Sequence, residues 1–287
     1  MGILEVLKSI IFGIVEGVAE WLPVSSTGHM ILLNEIIPLQ VSEAFYALFE
    51  VVIQLGAIMA VLMTFWGKLW PFGRRRNRHP AAERGALSWV RMDRIELWLK
   101  ILVACVPAAV VGVLFDDVFD RLFYGPVCVA IMLIVVGVAF IVVETLRADR
   151  APSIRSLSQL DYRTVALIGA FQLIAAIFPG TSRSGATILG ALLLGVSRRV
   201  AVEFSFMLAI PVMFGASLLK IVKYGALITM PEFLLLAVGT LTAYVVSMRV
   251  IKVLVNYIKT HDFKAFGWYR IALGAAVLAF FLISGRL

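Results

Sequence analysis

From Pro126 to Val143 the chain carries no charged or amide side chain. An uninterrupted apolar run of about 18 residues is long enough to be read as a helix crossing a bilayer. Runs of this kind recur along the 287 residues. The hydropathy pattern predicts ten apolar helical segments, near 2–22, 28–38, 43–66, 95–115, 124–146, 162–178, 185–196, 200–222, 231–255 and 268–285. Composition agrees, with 61% hydrophobic residues against 15% charged. Soluble domains hold about 45–50% apolar and about 25% charged residues, and disordered chains fewer apolar ones still, so both classes are excluded. The expectation is a single all-α polytopic membrane domain over residues 1–287.

Two segments, 28–38 and 185–196, are too short to cross, and each follows a break rich in Pro, Ser and Thr. The breaks resemble each other. Aligning Gly28 with Gly185 pairs Ser25 with Ser182 and Leu32 with Leu189, with one inserted residue near the prolines. Downstream, Glu50 falls opposite Glu203. The chain therefore reads as two five-segment halves, 2–146 and 162–285. If each broken pair is a re-entrant hairpin, three full crossings follow in each half, and an odd number inverts the second half relative to the first. The expected architecture is an inverted-topology repeat of six transmembrane helices plus two re-entrant helical hairpins. Broken helices meeting near the midplane of such repeats build anion sites in many transporters.

Charge supports this arrangement. It places 67–94, 147–161, 197–199 and 256–267 on one side, and the first of these holds Lys68, Arg74, Arg75, Arg76, Arg78, Arg84, Arg91 and Arg94. The opposite side receives 39–42, without a basic residue, and a loop at 116–123 with Asp116, Asp117 and Asp120. The positive-inside rule makes the basic side cytoplasmic and leaves both termini outside. The same rule accounts for the net charge of +8 and for the 74–78 basic run, which lacks the interleaved aromatics of a nucleic-acid site. Cys105 and Cys128 read as buried thiols. The first residues show no cleavage site of a removable signal peptide, and Val6 breaks the myristoylation pattern.

Ionisable side chains at bilayer depth mark functional sites by default. Glu16 and Glu20 lie four apart on one helix face. Ser25, Ser26, Thr27 and His29 follow in the first break, and Ser182, Arg183, Ser184 and Thr187 occupy the second. Each has a structural alternative. The acids read otherwise as a solvated helix end, His29 as a satisfied core histidine, the hydroxyls as caps, and Arg183 as a salt-bridge partner of Glu50 or Glu203. As a set they suit a phosphate. Two helix N-termini present N–H groups and positive dipole ends, the hydroxyls donate, and a guanidinium grips two oxygens at once. Two bare carboxylates would repel a diphosphate, which points to a divalent metal, a proton, or a place behind the attacking group. Oxygen-only ligands suit Mg²⁺ or Ca²⁺.

Three stretches carry a family resemblance: VEGVAEWLPVSSTGHMIL at 15–32, FEVVIQLGAIMAVL at 49–62 and FPGTSRSGATILGALLLGVSRRVAVEFSF at 178–206. With these the chain resembles the bacterial undecaprenyl-diphosphatases of the bacitracin-resistance type over nearly its whole length. Phe178 stands where that family more commonly carries tryptophan. The resemblance implies hydrolysis of a C55 polyisoprenyl diphosphate to the monophosphate and inorganic phosphate, recycling the lipid carrier of peptidoglycan synthesis. It implies that Glu16 and Glu20 are the essential acidic pair, that Ser26 and His29 are catalytic, and that Arg183 binds phosphate among Ser182, Ser184 and Thr187. A divalent cation, Mg or Ca, on Glu16 and Glu20 and a site opening outward from the inner membrane are also implied. The other lipid-phosphatase class needs a histidine downstream of its Ser-Arg pair within the helix, and none follows Ser182-Arg183.

The expected catalytic set is therefore Glu16, Glu20, Ser26, His29 and Arg183, with Ser25, Thr27, Ser182, Arg183, Ser184 and Thr187 binding substrate. Attack by Ser26, helped by His29, and attack by a glutamate-activated water both remain open. Expected partners are the lipid diphosphate, the bilayer and a second copy of the chain, without nucleic acid. The alternative function is transport or flipping of an anionic lipid or small anion.

Overall fold

The computed structural model describes residues 2–73, 79, 81, 86–123, 125–224 and 228–284. Among them run ten α-helices: α1 (Ile3–Ala19), α2 (Ser26–Ile36), α3 (Glu43–Leu69), α4 (Met92–Phe123), α5 (Pro126–Leu146), α6 (Tyr162–Ile177), α7 (Arg183–Leu193), α8 (Arg198–Tyr224), α9 (Met230–Tyr257) and α10 (Lys264–Ser284). Extended pairing there is confined to isolated bridges of Phe72 with Val90 and Ile154 with Val196. Six stretches are long and apolar enough to cross a membrane: Glu43–Leu69, Met92–Gly112, Pro126–Leu146, Arg198–Tyr224, Met230–Tyr257 and Lys264–Ile283. They coincide with the six expected crossings, and the chain is an all-α, multi-pass membrane protein. Helices α2 and α7 hold 11 residues each. That makes each about 16 Å long, roughly half the hydrocarbon thickness.

The structure moves three boundaries. Helices α2 and α7 start two residues before the expected glycines, at Ser26 and Arg183, because the preceding serines supply the turn. The segment at 116–123, expected as a loop, is the last part of α4, which continues past its internal Pro107. A hydropathy window ends where charges appear, but a helix leaving the bilayer need not. The side chains of Asp116, Asp117 and Asp120 lie outside the described set, as do Arg74, Arg75, Arg76, Arg78 and Arg84.

Small residues set the helix contacts, as expected where lipid leaves little hydrophobic drive between helices. Gly13 and Gly17 bring α1 against α9: a Cβ at Gly13 would stand 2.5 Å from the carbonyl oxygen of Gly239, and one at Gly17 2.8 Å from that of Ala243. Ser9 Oγ donates to Leu235 O (2.8 Å) and Ser247 Oγ to Gly17 O (3.2 Å), so α1 and α9 run parallel. Helices α4 and α6 are likewise parallel, with Gly169 against Ala104 and Lys100 over the Tyr162 ring. Helices α5 and α10 run antiparallel, Gly137 meeting Gly267 and Ala130 meeting Gly274. So do α3 and α8, through Ser217 Oγ to Val51 O (2.9 Å) at one end and the Lys68–Glu203 ion pair at the other. Glu203 also receives Arg199 Nε (3.1 Å), while buried Glu144 takes Arg198 and the Phe263 N–H (3.1 Å). These pairs lie toward one end of the bundle. The two breaks, between α1 and α2 and between α6 and α7, come together inside it.

Candidate active site

Both breaks turn on a strained serine. Ser25 and Ser182 have φ of 71° and 70°, and they are the non-glycine residues with positive φ among those described. Such backbone costs about 1–3 kcal/mol per residue and persists where its surroundings over-determine it. Each turn reverses the chain so that a new helix starts at the next residue. Ser182 caps its own helix, its Oγ accepting from the Gly185 N–H at 3.1 Å. Ser25 makes no such bond. Its buried hydroxyl is without a hydrogen-bond partner.

Glu20, just past the end of α1, joins the two breaks. Its Oε2 accepts from Ser26 Oγ at 2.9 Å and its Oε1 from Arg183 Nη2 at 3.1 Å. Its backbone oxygen accepts from Ser184 Oγ at 3.2 Å. Both members of the ion pair are largely buried. Arg183 Nη1 donates to Ser205 O on α8 (2.9 Å), while Arg183 Nε is buried without a partner. The suggested pairing of Arg183 with Glu50 or Glu203 is therefore not what the structure shows. Glu203 is held by Lys68 and Arg199, and Glu50 stands in electrostatic range of Glu16 and Lys220.

Glu16 sits one helical turn before Glu20, 1% exposed, with Oε1 unpartnered. Thr187 is engaged within the protein: its hydroxyl meets Arg183 O (2.9 Å), Ser184 O (3.2 Å) and Ser205 Oγ (2.7 Å), which makes it a strut between α7 and α8. Ser182 and Ser184 share a hydrogen bond of 3.1 Å. Thr27 is half-buried in the first turn of α2.

Both ring nitrogens of His29 are bonded to groups other than Ser26 and Glu20. Its Nδ1 lies 2.7 Å from Ser25 O, and a carbonyl only accepts, so Nδ1 carries a proton. Its Nε2 lies 2.7 Å from Tyr269 Oη, with the two rings stacked at 7°. The structure thus gives Ser26 to Glu20, not to His29. Sequence reasoning missed Tyr269, Ser205 and Arg270. Arg270 is fully buried in α10 and donates to backbone carbonyls of both breaks. The signal was present, since an arginine inside an apolar run is a functional candidate by default. The expected segment 268–285 puts Arg270 at a helix start, where an arginine is ordinary, whereas α10 begins six residues before it.

The arrangement can bind and attack an anion. Unpartnered buried donors at Ser25 and Arg183 adjoin two helix N-termini, and a hydroxyl is already bonded to a carboxylate able to take its proton.

The sequence as a whole is similar to known proteins. The chain is 56% identical over 281 residues to an undecaprenyl-diphosphatase of Desulfitobacterium hafniense, covering 98% of each. It is 55% identical over 280 residues to undecaprenyl-diphosphatase 1 of Clostridium acetobutylicum, again covering 98% of each. Against an undecaprenyl-diphosphatase of Enterococcus faecalis it is 52% identical over 275 residues, 96% of each. Residues 9–276, which include both breaks and Arg270, match the family described as bacitracin resistance protein BacA, and the chain belongs to that family.

Proposed function

We propose that this chain is an integral membrane phosphatase that hydrolyses undecaprenyl diphosphate to undecaprenyl phosphate and inorganic phosphate. The observation that carries the reading is Glu20 holding the Ser26 hydroxyl on one oxygen and the Arg183 guanidinium on the other. A transporter needs a site that binds and releases. A carboxylate bonded to a hydroxyl, with a phosphate-binding cation beside it, is equipped for covalent chemistry.

In this reading Arg183 Nε, the Ser25 hydroxyl and the first N–H groups of α2 receive the terminal phosphoryl group. Ser26 Oγ attacks phosphorus and its proton passes to Glu20 Oε2. The bridging P–O bond breaks, and undecaprenyl phosphate leaves with the proton from Glu20. Glu20 then takes a proton from water, which attacks the phosphoserine. The P–Oγ bond breaks, phosphate leaves and Ser26 regains its proton. Arg183 is a counter-charge throughout, and such positioned charge is most of what phosphoryl transfer asks of a protein.

The orphaned Oε1 of Glu16 fits a divalent cation, Mg²⁺ or Ca²⁺, held by Glu16 beside Glu20. Among the described residues no cluster of three or more His, Cys, Asp or Glu forms, and with both Glu20 oxygens bonded to Ser26 and Arg183 the free ligand atom of the pair is on Glu16. When bound there, such a cation would neutralise diphosphate charge.

The same proposal includes two inverted halves, 2–146 and 162–285. In support, α1 is parallel to α9 as α6 is to α4, while α3 with α8 and α5 with α10 each run antiparallel. The end holding Lys68, Arg198 and Arg199 is assigned to the cytoplasm, which puts both termini on the outer side of the plasma membrane, and the outward opening of the site is taken from the family resemblance.

The test is phosphate release from C55 diphosphate by purified protein in detergent, without a gradient. Release by wild type and its loss in Arg183→Ala support the reading. Binding without release by wild type overturns it and favours the transport of an anionic lipid.

A further inference from the structure

We infer that Arg270 is a positioning residue for this site, clamping backbone carbonyls of both breaks and so fixing Ser26 and Glu20 relative to Arg183. Its Nη1 donates to Pro23 O at 3.1 Å. Its Nη2 donates to Gly180 O and Thr181 O, both at 2.9 Å. Longer contacts of 3.4 Å reach Leu133 O from Nε and Met132 O from Nη2 on α5. The residue is 0% exposed, and its hydrogen-bond acceptors among the described residues are all backbone oxygens.

A buried cation without a counter-anion is costly unless something else carries negative potential. Here that is the backbone oxygens of the two breaks, Pro23 O in one and Gly180 O and Thr181 O in the other, which lie just past the ends of α1 and α6 and accept from the guanidinium in place of the donors a continuing helix would supply. Each break sets two helix termini back to back. The N-termini of α2 and α7 face the anion site, and carbonyls of the residues that link them to α1 and α6 converge on Arg270.

The grip falls close to the strained serines. Thr181 immediately precedes Ser182, and Pro23 lies two residues before Ser25. A guanidinium reaches both chains at once through a rigid fork, which an ammonium does not. Next to it on α10, Tyr269 holds His29 in α2, so one helix turn contacts the first break at Pro23, the second at Gly180 and Thr181, and the helix that follows the first break. No bond from Arg270 goes to a reacting group; it acts through backbone.

This inference rests on the diphosphatase reading. Its test uses full-length protein in detergent, with kcat, KM and melting temperature measured for wild type, Arg270→Lys, Arg270→Gln and Gly274→Ala. Gly274→Ala is the comparator: its Cβ would stand 2.7 Å from Ala130 O, loosening the same α5–α10 contact without touching either break. A misplacement near 1 Å costs about 100-fold in rate. Arg270→Lys is therefore expected to lose about 10- to 100-fold in kcat with KM within about 3-fold, and Arg270→Gln more. Gly274→Ala, at equal or greater loss of melting temperature, is expected to keep kcat within about 3-fold of wild type. Wild-type kcat in either Arg270 variant overturns the inference, as does a matching loss in Gly274→Ala. Failure of both Arg270 variants to give monodisperse protein, where Gly274→Ala does, also overturns it and assigns Arg270 to the fold alone. An inactive wild type is a different result, because it removes the diphosphatase reading itself.

Discussion

The two breaks share a backbone and differ in chemistry. Aligned on Gly28 and Gly185, Ser25 matches Ser182, and both hold φ near 70°. The next position is Ser26 in one and Arg183 in the other, and these two side chains take the two oxygens of the same carboxylate. Back along the preceding helices, with the inserted Gly180 allowed for, Gly13 matches Gly169, Glu16 matches Gln172 and Glu20 matches Ala176. In the proposed mechanism the acids and the attacking hydroxyl lie on the first side, and the phosphate-binding cation on the second. A duplicated turn thus provides two helix N-termini aimed at one place, and single substitutions divide the labour between them.

That division can be broken most severely from the second side. Arg183→Ala removes the counter-charge and strands Glu20. Loss of an arginine that stabilises a phosphoryl transition state costs about 10³- to 10⁵-fold in kcat. Breaking a buried pair by removing one partner costs about 3–5 kcal/mol of stability. Adding Glu20→Gln should restore much of the melting temperature and none of the turnover, whereas adding Glu50→Gln or Glu203→Gln should restore neither. Recovery with Glu203→Gln, read by melting temperature and phosphate release, would place the partner of Arg183 elsewhere.

From the first side, Glu20→Gln alone should reduce kcat by about 10²- to 10⁴-fold, the usual value of a positioned base. The protein should still bind substrate, which a fluorescent C55 diphosphate analogue would report. Tight binding with near-wild-type turnover would take the base role from Glu20.

A milder change keeps the charge and removes the fork. Arg183→Lys loses one charge-assisted bond worth about 1.5–3 kcal/mol, so kcat/KM should fall roughly 10- to 150-fold. A loss under about 3-fold would mean that Arg183 serves as a point charge and that the planar grip is immaterial.

The smallest effect separates the two serines. Ser182 caps α7 and Ser25 caps nothing, so Ser182→Ala should cost about 1 kcal/mol of stability and little activity. Ser25→Ala should leave stability nearly unchanged and weaken substrate binding, because its hydroxyl is a free donor in the site. Equal stability losses in chemical denaturation would remove this distinction.

Much of this was legible before any coordinates. Apolar runs give the ten helices because a bilayer demands continuous apolarity, and that demand is written residue by residue. The repeated Pro-Ser-Thr breaks and the acids near the first also show in the sequence. The pairings across the site do not. Nothing in a linear pattern says that Arg183 reaches Glu20 over 163 positions rather than Glu203 over 20. The early start of α2 and α7 escaped because a positive-φ serine is rarer than a glycine at such a turn. Arg270 escaped because its partners are carbonyl oxygens, which every residue has. Tyr269 escaped because an interfacial tyrosine is ordinary. Thr187 shows the reverse: its spacing suggested a ligand contact, and the structure makes it a strut.

The measurement that tests the central claim most directly is the stereochemical course at phosphorus. Turnover of a C55 diphosphate analogue made chiral at its terminal phosphorus with sulfur and oxygen isotopes gives a thiophosphate of defined configuration. Attack by Ser26 followed by attack by water is two in-line displacements, and the account predicts net retention, with label trapped on Ser26 by acid quench. Net inversion would contradict it, because a single displacement by water leaves Glu20 holding water and Ser26 only a ligand.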